Sequence, residues 1–157
     1  LKVAFVFDAK KPGINDRVQL PRWQGQLIQI GCTFSDRYCW LFLQTQERGQ
    51  IHDRCVVIQS DGTISATTEA SEKDDNWLTK LGKGRTGNIS PFCAINNFLL
   101  TATDEGIIRV EIQHNQLIHT ATFADTEPFV ESSCHLLPAN EGLYVANHQN
   151  IQLLKLC

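Results

Sequence analysis

The sequence predicts an all-β fold assembled from repeated four-stranded antiparallel units. Three observations carry this. Residues 99–112 and 143–156 are one segment written twice: Leu99-Leu100-Thr101-Ala102-Thr103 lies over Leu143-Tyr144-Val145-Ala146-Asn147, and Ile107-Ile108-Arg109-Val110 over Ile151-Gln152-Leu153-Leu154, at a constant offset of 44. Ile108, Val110 and Ile112 alternate with Arg109, Glu111 and Gln113, the period of a half-buried strand, and no window of a dozen residues carries a 3.6-residue apolar period. Turn residues punctuate the apolar runs at Asp61-Gly62, Asp104-Glu105-Gly106, His114-Asn115 and Asn140-Glu141-Gly142. A self-match with a period in the forties marks stacked supersecondary units.

A third copy extends the pattern upstream. Ile58-Gln59-Ser60-Asp61-Gly62-Thr63-Ile64 aligns with residues 112–118 at an offset of 54, and Leu41-Phe42-Leu43 with Leu99-Leu100-Thr101 at 58. A longer loop at 46–53 absorbs the difference. Cys32, Cys93 and Cys134 are expected at the same place in the three copies, each on a first strand. In chain order the elements are then a strand at 1–8, a loop at 9–26 and a unit at about 27–68. A polar insertion at 69–88 follows, then units at 89–123 and 130–157. In the middle unit the four strands are placed near 92–96, 98–104, 107–113 and 116–123.

Four short strands in such a length make the blade of a β-propeller. In length, strand order and the polar turn between second and third strands, the repeats resemble WD40-like blades. The Gly-His pair and closing Trp-Asp of that family are absent; the third strands end Val110-Glu111-Ile112 and Leu154-Lys155-Leu156 instead. The resemblance implies a propeller segment. Val3, Phe5 and Phe7 alternate with Lys2, Ala4 and Val6, so 1–8 reads as an isolated fourth strand, and the last copy stops after its third. Twelve strands, three blades' worth, do not close a ring that takes about four to eight blades. Two expectations are open: the terminal part of a longer propeller, which the initial Leu1 and the absence of Met favour, or two chains that each give three blades to a six-bladed homodimeric ring.

Composition narrows the function. At 42% hydrophobic and 20% charged the chain is ordinary for a globular domain. A net charge of −3 argues against nucleic acid or anionic membrane as the main partner. No apolar run reaches the roughly 18 residues that span a bilayer, and no signal peptide opens the chain. The six cysteines include no Cys-x-x-Cys, so zinc is not expected, and they read as reduced core residues with a Cys39–Cys55 disulfide as the alternative. Free thiols point to a reducing, cytoplasmic compartment.

Chemical motifs are sparse, and no cofactor is expected. Gly82-Lys83-Gly84-Arg85-Thr86-Gly87 matches a dinucleotide fingerprint formally, but Pro91 and a strand follow where a helix is needed. The five histidines are scattered, and His119, sharing a face with Leu117 and Ala121, reads as packed. Cys134 and His135 are strand neighbours and point to opposite faces. Surface loops remain. The longest irregular stretches, 9–26, 46–53 and 69–88, are expected on one end of the blades, and they carry Arg22, Trp23, Trp77, Lys80, Lys83 and Arg85. Trp and Arg dominate binding hot spots, and these six are the expected contacts to a protein or peptide. Solvated connectors whose tryptophans pack on their own blades are the competing reading. The expected function is a non-catalytic interaction scaffold; the alternative is a catalytic or ligand-sensing propeller with an axial site near Ser90, Ser132 and Ser133.

Overall fold

The computed structural model describes residues 19–71, 73–81, 92–103, 105–123, 135–140, 142–146 and 151–155, together with the strand placement of 3–8 and 11–18. Every regular element among them is a strand. β1 (Val3–Asp8) and β2 (Lys11–Gln19) form a two-stranded antiparallel hairpin. The first sheet is the meander β3 (Gln26–Phe34), β4 (Tyr38–Glu47), β5 (Gln50–Gln59) and β6 (Ile64–Ser71). A second meander comprises β7 (Phe92–Ile95), β8 (Phe98–Thr103), β9 (Gly106–Gln113) and β10 (Gln116–Phe123). The third sheet has three strands, β11 (His135–Ala139), β12 (Gly142–Ala146) and β13 (Ile151–Lys155).

The strands of the second sheet fall within a residue of their expected places because pattern and turns agree there. Both central residues of the β9–β10 turn, His114 and Asn115, have positive φ (49° and 63°). That is the twist that lets a two-residue turn follow the handedness of its strands. The turn between β4 and β5 is built the same way from Arg48 and Gly49, with φ of 50° and 82°. The long loop expected at 46–53 is therefore a tight hairpin, with Glu47 paired to Gln50.

Two further expectations fail at the N-terminus. The stretch 9–26 is not one loop, since β2 occupies 11–19. Its Pro12, Gly13, Asn15 and Asp16 read as turn residues, yet the edge position in a two-stranded ribbon tolerates Pro and Gly. β1, read as an isolated fourth strand, pairs instead with β2.

The three sheets stack face to face in sequence order. β3 lies against β7 and β7 against β11, while β6 lies against β10. Each sheet has a front, toward the next sheet, and a back, toward the preceding one. Trp40, Phe42, Cys55 and Val57 on the front of the first sheet pack against Ala94, Leu99, Ile108 and Val110 on the back of the second. Phe42 stacks on Phe92 across this interface, with ring centroids 3.8 Å apart and planes 4° from parallel. Cys93, Leu100, Ala102 and Ile107 on the front of the second sheet meet Leu136, Leu143 and Val145 on the back of the third. The second sheet is thus covered on both sides, so β8 is buried at nearly every position, its two threonines included.

β10 changes faces along its length. Leu117, opposite Ile112, packs toward the first sheet, whereas Phe123, opposite Ile107, packs toward the third. A bulge between His119 and Ala121 inserts the extra residue that makes the switch. The bulge lies beyond His119, which keeps the register of Leu117. His119 is exposed, its Nε2 lying 2.9 Å from Thr122 Oγ1 and 3.0 Å from the Ala121 carbonyl, so the packed histidine expected from alternation is not found.

The described residues of the insertion at 69–88 are ordered structure. Its first residues finish β6, and 73–81 form a compact turn. Asn76 Oδ1 accepts hydrogen bonds from the amides of Leu78 (2.8 Å) and Thr79 (3.2 Å), in the manner of a cap. Thr79 Oγ1 donates to the Asp74 carbonyl at 2.7 Å. The turn drives Trp77 and Leu78 into the core between the first two sheets.

The cysteines do not share one place. Cys32 pairs with Leu41 and lies exposed on the back of the first sheet, whereas Cys93 pairs with Leu100 and is buried on the front of the second. Cys134 lies outside the described residues. Cys39, Cys55, Cys32 and Cys93 are free thiols. Cys39 and Cys55 belong to cores on opposite faces of their sheet.

Candidate functional site

The back of the first sheet carries a well-formed recess. Leu41, Leu43, Val56 and Ile58 make an apolar patch there, and Leu20, immediately after β2, plugs into it. Gly25 then returns the chain to β3 with φ of +93°, its Cα so near β4 that a Cβ would stand 2.5 Å from the Gln46 carbonyl oxygen. Only glycine fits both conditions. Pinned at these two points, residues 21–24 run across the sheet, and Trp23 packs half-buried on the patch.

Beside the indole lies an ionic group built on two paired strands. Arg54 of β5 stands opposite Glu69 of β6, and its Nη2 donates to Glu69 Oε1 at 2.7 Å. Arg54 Nη1 donates to Thr45 Oγ1, and its guanidinium carbon sits 5.9 Å from the Trp23 ring centroid, within cation–π range. His52 Nδ1 lies 3.7 Å from the same Glu69 oxygen. Arg54 is buried while its Glu69 partner is half-exposed, so the carboxylate remains accessible to solvent and ligand.

Around this group opens a cavity of about 640 Å³, lined by Gln19, Arg22, Trp23, Gln24, Glu47, Arg54 and Glu69. Its wall combines an indole, two guanidinium groups, two carboxylates and two amides. Such a wall meets hydrogen-bonding groups of both polarities beside a planar apolar surface, as a peptide segment presents them. A polyanion would face Glu47 and Glu69. A second recess, lined by Asp36, Arg37, Tyr38, Asn96 and Asn97, lies at the hairpin ends of the first two sheets, where Ser35 Oγ donates to the Asn96 carbonyl at 2.8 Å.

The six residues singled out in the sequence are not brought together. Arg22 and Trp23 share the cavity. Trp77 is 7% exposed and belongs to the core between the first two sheets. Lys80 turns to the second sheet: its Nζ donates to Glu105 Oε1 at 2.6 Å and stands 4.0 Å from Asp75. That contact holds the Glu105 carboxyl below its usual value, first through the hydrogen bond and then through the charge. Lys83 and Arg85 lie outside the described residues, as do Ser90, Ser132, Ser133 and the glycine-rich segment 82–87. Sequence reasoning missed Arg54. The available signal was a lone cation preceding Cys55-Val56-Val57-Ile58, an apolar strand that buries it.

Burial raises three thiols of the first two sheets. Cys39 is pushed up to about 11, by desolvation and then by the neighbouring Cys32, and Cys55 and Cys93 are raised by desolvation. Among the described residues no group of three His, Cys, Asp or Glu side chains is placed to hold a metal ion, and no helix is long and apolar enough to cross a membrane. No protein-family model, no curated protein and no solved structure matches the chain.

Proposed function

We propose that this chain is a non-catalytic interaction module, a propeller segment of WD40-like type that binds a protein or peptide through the Arg22–Trp23 cavity. One observation carries the reading. A half-buried indole and a buried, oriented guanidinium are held on a rigid sheet at the wall of an open recess, with Arg22 exposed at its rim. Anchors of this kind, ordered before the partner arrives, cost little further entropy on binding. The order of the strands within each sheet and the stacking of first strand beside first strand support the propeller assignment.

The test is selection of a displayed random-peptide library on the intact chain. Enriched peptides are expected to bind at least tenfold more weakly to Arg22→Glu and to Trp23→Ala, each verified as folded by its melting curve. Failure to enrich any sequence, or binding indifferent to both substitutions, would overturn the reading.

A further inference from the structure

The repeat gives the first two strands of the three sheets equivalent positions, and one interface position recurs three times. On the front of the second strands it is held by Phe42, Leu100 and Tyr144; on the back of the first strands it is held by Ile30, Phe92 and Leu136. The latter three stand opposite Leu43, Thr101 and Val145, which are themselves equivalent. Each front residue meets the back residue of the next sheet. Phe42 stacks on Phe92, and Leu100 shares a core with Leu136. Two members of the series are left over: Tyr144, 42% exposed on the front of the third sheet, and Ile30, 58% exposed on the back of the first.

The surroundings repeat the pattern. Leu137 and Ile151, exposed beside Tyr144, are the equivalents of Cys93 and Ile107, which the third sheet buries. Beside Ile30, Cys32 and Phe34 are exposed as well, and Cys32 is the equivalent of the buried Ala94. Leu20 and Trp23 cover the patch on β4 and β5, which leaves this part of β3 open. An exposed apolar face at positions that are core elsewhere in the same molecule marks an interface.

We infer that the front of the third sheet docks on the back of the first sheet of a second copy of this chain, with Tyr144 seated against Ile30 as Phe42 is seated against Phe92. The argument for this occupant is continuity. The surface that complements the open front is carried by the same chain, at the same register, and one chain cannot bring its own two ends together through three sheets. Two copies satisfy both ends with a single kind of contact, made twice about a two-fold axis. This inference rests on the stacking of the sheets and stands apart from the ligand reading of the cavity.

Light scattering of the intact chain from about 1 to about 200 µM, a range that brackets micromolar dissociation constants, tests it. The expected mass at the upper end is twice 17.7 kDa. Tyr144→Asp and Ile30→Asp are each expected to weaken association by about 30-fold or more, as loss of an interface anchor does. An equimolar mixture of the two variants should then recover dimer, because one of its two contacts joins an unaltered front to an unaltered back. Tyr144→Ser and Ile30→Ser replace any acid variant that a melting curve shows to be unfolded. A wild-type monomer throughout the range overturns the proposal, and is the result if a sheet from elsewhere covers these faces. Dissociation by Tyr144→Asp but not by Ile30→Asp indicates front-to-front pairing and also overturns it, as does a mixture that stays monomeric.

Discussion

Replacing Trp77 by alanine separates a core tryptophan from a binding tryptophan. The residue sits in a connector and is flanked by Asp75, Asn76 and Thr79, a setting that reads as solvated. Its side chain nevertheless joins Trp40, Phe42, Leu78, Ala94 and Leu99 between the first two sheets, and is 7% exposed. An indole removes roughly 200 Å² from water, which at about 25 cal/mol per Å² is about 5 kcal/mol. Alanine retains part of that burial and the walls relax inward, so the expected loss is about 3–4 kcal/mol. For a chain of this size each kcal/mol moves the midpoint by about 2–4 °C, giving a fall of roughly 10 °C. Urea and thermal unfolding followed by circular dichroism read the change, with an unaltered urea slope confirming that the same transition is measured. A surface tryptophan would cost within about 0.5 kcal/mol. A loss that small would refute the packing argument and return Trp77 to the set of partner contacts.

Other perturbations probe the sheets and thiols. Pulsed alkylation near pH 8, mapped by mass spectrometry, should label exposed Cys32 well before Cys39, Cys55 and Cys93, whose thiols burial raises; equal labelling of Cys55 and Cys32 would contradict the assignment. Gly142→Ala places a Cβ 2.1 Å from the Leu154 carbonyl oxygen, so β12 and β13 must separate. A cost of about 1–3 kcal/mol is expected, with faster amide exchange in β13; a neutral variant would show that the approach is not tight. Glu105, held low by Lys80, contributes stability that is present above the unfolded carboxylate value and is lost as pH falls through the folded one. The midpoint difference between wild type and Glu105→Gln should therefore shrink on acidification, and a difference that grows would reverse the sign of the linkage.

The strands were legible where pattern and turn signals agreed. Around 92–123 the alternation and the turns His114-Asn115 and Asp104-Glu105-Gly106 all point one way, and the strands lie where they indicate. Legibility ends where a local signal is overruled by partners distant in sequence. Pro12 and Gly13 speak for a loop, yet they lie within β2, in the irregularity between the pairs Asp8–Lys11 and Val6–Asp16 that β2 makes with β1. Trp77 stands among polar residues, but Asn76 caps a turn that aims it inward. The cysteine alignment shows the sharpest failure. Aligning Cys32 with Cys93 slips the register by one residue against the alignment that superposes Leu41 on Leu99, and in a strand a slip of one exchanges the faces. Arg22 and Trp23 were visible as residue types, but the Arg54–Glu69 pair that gives them a wall depends on the β5–β6 register.

That register also ties the cavity to the stack. The Arg22–Trp23 cavity and the open Ile30 edge lie on the same back face of the first sheet, over β4–β6 and over β3 respectively. In the proposed pairing, a second copy seated on β3 would bring its third sheet alongside Leu20 and Trp23 and place the cavity at the seam between copies. Whatever a ligand in the cavity does to association, association does to ligand affinity by the same factor. A peptide contacting both Trp23 and the incoming sheet tightens the pair, and one that overlaps the path of that sheet loosens it. The sign of the coupling therefore reports how far the peptide reaches from the indole toward β3. A coupling of zero would mean that residues 20–23 shield the cavity from the seam, leaving the two surfaces to act separately.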